Sequence, residues 1–133
     1  MTDITTVVKD FNTQLDDFLT ELEKIDSDKD IRTAHSLIQT ATKMNISLII
    51  DQYVLYICPF AKEIYSEDEN FFIKMSTSEQ VKCDEKGIGQ IMKFTKMWAT
   101  LSNRNKQCIY DYMKILTFNA QEYFKLKYPE LAL

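Results

Sequence analysis

Residues 4–25 read ITTVVKDFNTQLDDFLTELEKI, and the spacing of their apolar side chains decides the fold class. Ile4, Val8, Phe11, Leu15, Phe18, Leu22 and Ile25 follow one another in alternating steps of four and three, an unbroken heptad stripe. Val7 and Leu19 widen the stripe, while Asp10, Asp16, Asp17, Glu21 and Glu23 supply an acidic opposite side. A helix of this length runs about 33 Å at about 1.5 Å per residue. Such a stripe serves either as the first helix of an intramolecular bundle or as the seam of a homodimer through helix one. Phenylalanine at the core positions suits the bundle better.

Outward from this helix, Asp26-Ser27-Asp28-Lys29-Asp30 is a polar break rich in N-cap residues. A second helix is expected over Lys29–Met44, with Ile31, Ala34, Ile38 and Ala41 on one face. A third starts near Ile46 and is apolar over most of its circumference, which predicts a central position. Pro59 removes a backbone donor, ends that helix near Ile57 and opens a short one through Ile64 and Tyr65. Glu67-Asp68-Glu69-Asn70 reads as a helical first turn followed by Phe71 and Phe72. Residues 75–87 are polar and form the best linker. Beyond it, Ile91, Phe94, Trp98 and Leu101 mark a helix over about 88–101, and Ser102 caps a last helix that Pro129 ends.

The 133 residues include only two glycines, Gly87 and Gly89, and two prolines, Pro59 and Pro129. All-β sandwiches and barrels draw on Gly and Pro for their turns, and doubly wound folds need glycine-rich loops, so both are disfavoured. The expected fold is all-α: one domain, 1–133, a bundle of five or six helices. Its helical halves are about 1–74 and 88–127.

The chemistry-bearing residues are sparse. His35 is the single histidine, and Cys58, Cys83 and Cys108 lack CxxC spacing, so they read as reduced thiols and not as a zinc site. Asp26, Asp28 and Asp30 have the spacing of a calcium loop's first ligands, but Ile31 stands where glycine belongs and Leu37 where the closing glutamate belongs. No phosphate-cradling glycine loop and no serine nucleophile elbow occurs. The expectation is a non-enzymatic protein with no catalytic residues, no metal and no cofactor. No apolar run reaches the roughly 18 residues of a membrane span. The start, Met1-Thr2-Asp3-Ile4, lacks a signal peptide's basic and apolar regions, so an intracellular location is expected.

The net charge of −4 is unevenly distributed. Residues 1–30 carry nine acidic and three basic side chains; residues 86–133 carry eight basic and three acidic. Two readings follow. The end helices attract each other, or the basic C-terminal face, through Lys93, Lys96, Arg104 and Lys106, contacts an acidic partner or nucleic acid. Trp98 falls on an apolar face, which argues against base stacking. Trp98, Phe71 and Phe72 read either as core or as anchors for a protein partner.

Two stretches carry a likeness. One is Leu48-Ile49-Ile50-Asp51-Gln52-Tyr53-Val54-Leu55-Tyr56-Ile57-Cys58-Pro59-Phe60, continuing to Asp68-Glu69-Asn70-Phe71-Phe72. The other is Met97-Trp98-Ala99-Thr100-Leu101-Ser102-Asn103-Arg104-Asn105-Lys106, continuing through Ile109-Tyr110-Asp111-Tyr112-Met113. Together they resemble small helical proteins of large nucleocytoplasmic DNA viruses of algae and amoebae, over most of residues 4–124. Tyr110 after Ile109 is a departure, since tryptophan is common near this point. The resemblance implies a helical protein of viral origin and brings no assigned activity with it. Joined to the empty catalytic inventory and the heptad helix, it leads to the expectation of a protein that acts through protein contacts, as a minor virion component or an intracellular adaptor in host cytoplasm or viral factory. The alternative, which rests on the basic C-terminal helices, is a regulator of viral transcription or DNA packaging that contacts nucleic acid.

Overall fold

The computed structural model describes residues 3–25, 29–75 and 101–131. Among these, the chain is all-α and no strand occurs. Six α-helices follow in order: α1, Ile4–Ile25; α2, Lys29–Met44; α3, Leu48–Tyr56; α4, Ala61–Tyr65; α5, Glu69–Met75; and α6, Asn103–Lys127. Short 3-10 turns, Cys58–Phe60 and Pro129–Leu131, follow α3 and α6. The expected helix over 88–101, with Lys93, Lys96 and Trp98, lies outside the described residues, as does the linker beyond Met75.

The α1 stripe folds inward. Val7, Val8, Phe11, Leu15, Phe18, Leu19 and Leu22 are all buried, and the face meets Ile109, Met113, Leu116 and Ala120 of α6 in one core. The face that could join two copies through helix one is packed within the chain against α6. Aromatic rings lock α1 to its neighbours: Phe18 stacks on Tyr112 of α6 at 5.1 Å and Phe11 meets Tyr53 of α3 edge-on at 5.2 Å.

α3 corrects a second expectation. It starts at Leu48 and not at Ile46, and it is not central. Ile49, Ile50 and Tyr53 are buried, but Leu55 is 64% exposed and Tyr56 42%. The long pair α1 and α6 occupies the centre, so a nine-residue helix can only lie along their flank. Asn45 makes the preceding turn, its Oδ1 accepting from the Ser47 backbone at 3.2 Å. Pro59 acts as the sequence predicts: α3 stops, and Pro59 sits in the first turn of the next short segment.

Two capping residues set the remaining boundaries. Asp68 Oδ1 accepts from the backbone N–H groups of Asn70 and Phe71, at 3.0 and 3.3 Å, and so starts α5. Ser102 is extended and its Oγ accepts from the Asn105 N–H at 3.1 Å, starting α6. Ser102→Ala is expected to cost about 1 kcal/mol, read as a lower urea midpoint at unchanged slope.

The charge asymmetry is resolved differently from the attraction expected between the end helices. The basic residues of α6 that bridge elements reach Asp51 of α3, Glu67 in the α4–α5 turn, and Glu69 of α5. On α1, Asp16 instead accepts from His35 Nε2 of α2 at 2.6 Å and from Gln39 at 3.0 Å, and Glu23 lies 3.4 Å from His35 Nδ1. The His35 bond holds the Asp16 carboxyl below its ordinary range. His35 itself is buried, a structural clamp between α1 and α2.

Candidate interaction surface

The site begins with the periodicity of α6. Ile109, Met113, Leu116, Thr117, Ala120 and Tyr123 are buried. At about 100° per residue, the side opposite this stripe is an arc of roughly 60° through Arg104, Asp111, Ile115, Phe118 and Glu122, with Leu126 at its edge. Three large apolar side chains stand exposed there: Ile115 at 43%, Phe118 at 56% and Leu126 at 41%. Scattered exposed apolar residues are ordinary. Three along one stripe of one helix, with Arg104 and Asp111 before them and Glu122 and Lys125 among them, form a ridge.

Polar pins on the flanks of α6 keep that ridge facing outward. Lys106 Nζ lies 2.9 Å from Glu69 Oε2, and Lys114 pairs closely with Glu67. Gln107 also donates to Glu67 Oε2, at 3.2 Å, and to Asp111 Oδ1, at 2.9 Å. The Lys114 bond, then that of Gln107, keeps the Glu67 carboxyl below its usual range. Glu67 needs such anchoring, since its backbone is left-handed with φ of 55°, a conformation that disfavours a residue with a Cβ. At the other end, Tyr123 donates to Asp51, and Lys127 Nζ lies 3.0 Å from the Tyr123 hydroxyl and 3.3 Å from Asp51. The bond to Tyr123 is the larger cause raising the Lys127 ammonium above its ordinary range. Lys127 also sits 5.3 Å over the Tyr123 ring and 5.6 Å over the Tyr128 ring.

The residues singled out from sequence divide clearly. Phe71, 8% exposed, and Phe72, fully buried, are core and not docking anchors. Phe71 packs on Phe60 at 5.1 Å and Phe72 on Tyr110 at 5.3 Å. The Asp68 cap turns α5 so that both rings face inward. Lys106 is largely covered in its pair with Glu69. Arg104 is exposed and lies on the outward ridge. Lys93, Lys96 and Trp98 lie outside the described residues. Ile115 and Phe118 were missed by sequence reasoning; their signal was a three-residue step lying half a turn away from the core stripe.

Among the described residues no group of three or more His, Cys, Asp or Glu side chains could hold a metal ion. No helix among them is long and apolar enough to cross a membrane.

A protein of Acanthamoeba polyphaga mimivirus, described as uncharacterized protein R465, is 30% identical to this chain over 125 residues, spanning 88% of this chain and 69% of the mimivirus protein. No protein-family model and no solved structure matches the chain. The mimivirus match bears out the resemblance to giant-virus proteins carried by the Leu48–Phe72 and Met97–Leu116 stretches. At that identity and coverage, the chain belongs to the same family of giant-virus proteins as R465.

Proposed function

We propose that this chain is a non-enzymatic viral protein that works through protein–protein contacts, with the outward ridge of α6 as its docking face. The observation that carries the reading is the exposure of Ile115, Phe118 and Leu126 along one stripe, on a helix whose opposite stripe is committed to the core. Aromatic side chains and arginine are enriched at the centres of interfaces; Phe118 stands in the middle of this stripe, with Arg104 about 21 Å away along the same helix. The mixed charges of Arg104, Asp111, Glu122 and Lys125 fit a protein surface better than a polyanion. Such a protein serves as a minor virion component or as an adaptor in the host cytoplasm or viral factory.

Phe118→Asp is the direct test. A half-exposed side chain contributes little to the core, so stability is expected to change by no more than about 0.5 kcal/mol. Co-purification from infected cells, quantified against wild type, should lose its specific partner. Retention of the same partners by Phe118→Asp and Ile115→Asp rejects the ridge. Mass spectrometry of purified particles decides the virion role, and absence from them rejects it. The alternative, a nucleic-acid contact in transcription or packaging, draws little support from α6, where Lys106 and Lys114 are engaged by Glu69 and Glu67. Duplex binding that falls steeply with salt would favour it.

A further inference from the structure

A concavity borders the ridge at Lys125, between the α3 end and the last turns of α6. Its volume is about 510 Å³, within the range of about 300–1,000 Å³ typical of small-molecule sites. Val54, Pro59, Phe124 and Leu131 give it hydrocarbon walls, and Cys58 joins them. Burial pushes the Cys58 thiol up to about 12, so it remains neutral there. Only Gln121 and Lys125 bring strongly polar side chains.

Both of those groups are donors. The Tyr65 hydroxyl donates to Gln121 Oε1 at 2.8 Å, which fixes the carbonyl end of that amide and leaves its Nε2 as the donor still to be used. One turn on, Lys125 is half-exposed, and its only ion pair among the described residues is with Glu122 at 3.8 Å, close to the outer limit of such contacts. A surface pair of that kind yields readily to a competitor. An apolar trough ending in an amide N–H and an ammonium matches one ligand chemistry: a hydrocarbon body with an anionic oxygen head.

The geometry points to a binding site for a small amphipathic carboxylate, a fatty-acid-like ligand, with its chain along Val54, Pro59, Phe124 and Leu131 and its head on Gln121 Nε2 and Lys125 Nζ. A peptide presenting the same carboxylate is the less suitable source, because its backbone N–H groups would need acceptors where the polar side chains of this trough are donors.

The test is a chemical-shift titration of the full chain with decanoate, beside 1-decanol, butyrate and N-acetylated trileucine. Decanoate is expected to bind saturably, with shifts confined to the trough, and at least about tenfold more tightly than decanol or butyrate, since head and tail each contribute. Gln121→Glu keeps an acceptor for Tyr65 but replaces the donor with a carboxylate oxygen. It and Lys125→Glu should each weaken decanoate about tenfold and leave decanol unchanged, with helicity by circular dichroism as the control. Equal binding of decanol, unchanged decanoate affinity in both variants, or shifts elsewhere overturns the proposal. Trileucine binding as tightly as decanoate overturns the choice of a fatty-acid source.

Discussion

Leu15→Asp is expected to abolish the cooperative fold at 25 °C. Leu15 is 2% exposed at the middle of the α1 stripe, in the core shared with α6. Removing a buried leucine's packing costs about 2–5 kcal/mol, and an unpaired carboxylate in its place adds several more, or must be protonated. Domains of this kind hold only about 5–15 kcal/mol in total. The readout is far-ultraviolet circular dichroism together with light scattering at matched concentration. Loss of helicity is the expected result. A variant that stays helical while its mass halves from a wild-type dimer would mean that the stripe joins two chains, and would overturn the internal packing.

The stripe was legible because it is long and singly periodic. Seven apolar positions over 22 residues define one face, which α6 covers together with α2 and α3. Pro59 and Ser102 were legible for a different reason: each acts through its own backbone or hydroxyl, within three residues, so tertiary context changes little. α3 was not legible in the same way. With Leu48, Ile49, Ile50, Tyr53, Val54, Leu55 and Tyr56 spread around nine residues, periodicity cannot tell which side meets the core. The chain resolves it by burying the Ile49–Ile50–Tyr53 side and exposing Leu55.

The polar pins were illegible for a topological reason. Opposite net charge in the two ends suggested direct attraction, but charge counts carry no geometry. The pairs of Lys106, Lys114 and Lys127 with Glu69, Glu67 and Asp51 span 37 to 76 residues of sequence. They form because α3 and the α4–α5 turn lie beside α6. The outward ridge follows from the same arrangement. α6 is covered by α1 on one side and by α3 and α4 on another, so whatever apolar side chains fall in the remaining arc stay exposed. That Ile115 and Phe118 fall there is the feature of this chain that folding alone does not require.

Tyr53 and Thr117 give the second large effect, and its size depends on which partner is removed. The Tyr53 hydroxyl lies 2.9 Å from Thr117 Oγ1 and 3.4 Å from the Met113 carbonyl oxygen. Tyr53 is 2% exposed and Thr117 fully buried, and burial keeps the phenol protonated far above its ordinary range. Tyr53→Phe preserves the ring, including its edge-on contact with Phe11, but strands the Thr117 hydroxyl. A buried polar group without its partner costs about 1–3 kcal/mol. Thr117→Val strands the phenol in turn, less completely, because Met113 still offers its carbonyl. Replacing both partners with apolar groups of nearly the same shape removes the unsatisfied group altogether. The double variant Tyr53→Phe/Thr117→Val is therefore expected to be more stable than Tyr53→Phe alone, with a coupling of about 1–2 kcal/mol in a double-mutant cycle measured by urea unfolding. Simple additivity of the two losses would show that the hydroxyls find other partners, and that the α3–α6 junction is held by its apolar contacts and the Asp51–Tyr123–Lys127 pin instead.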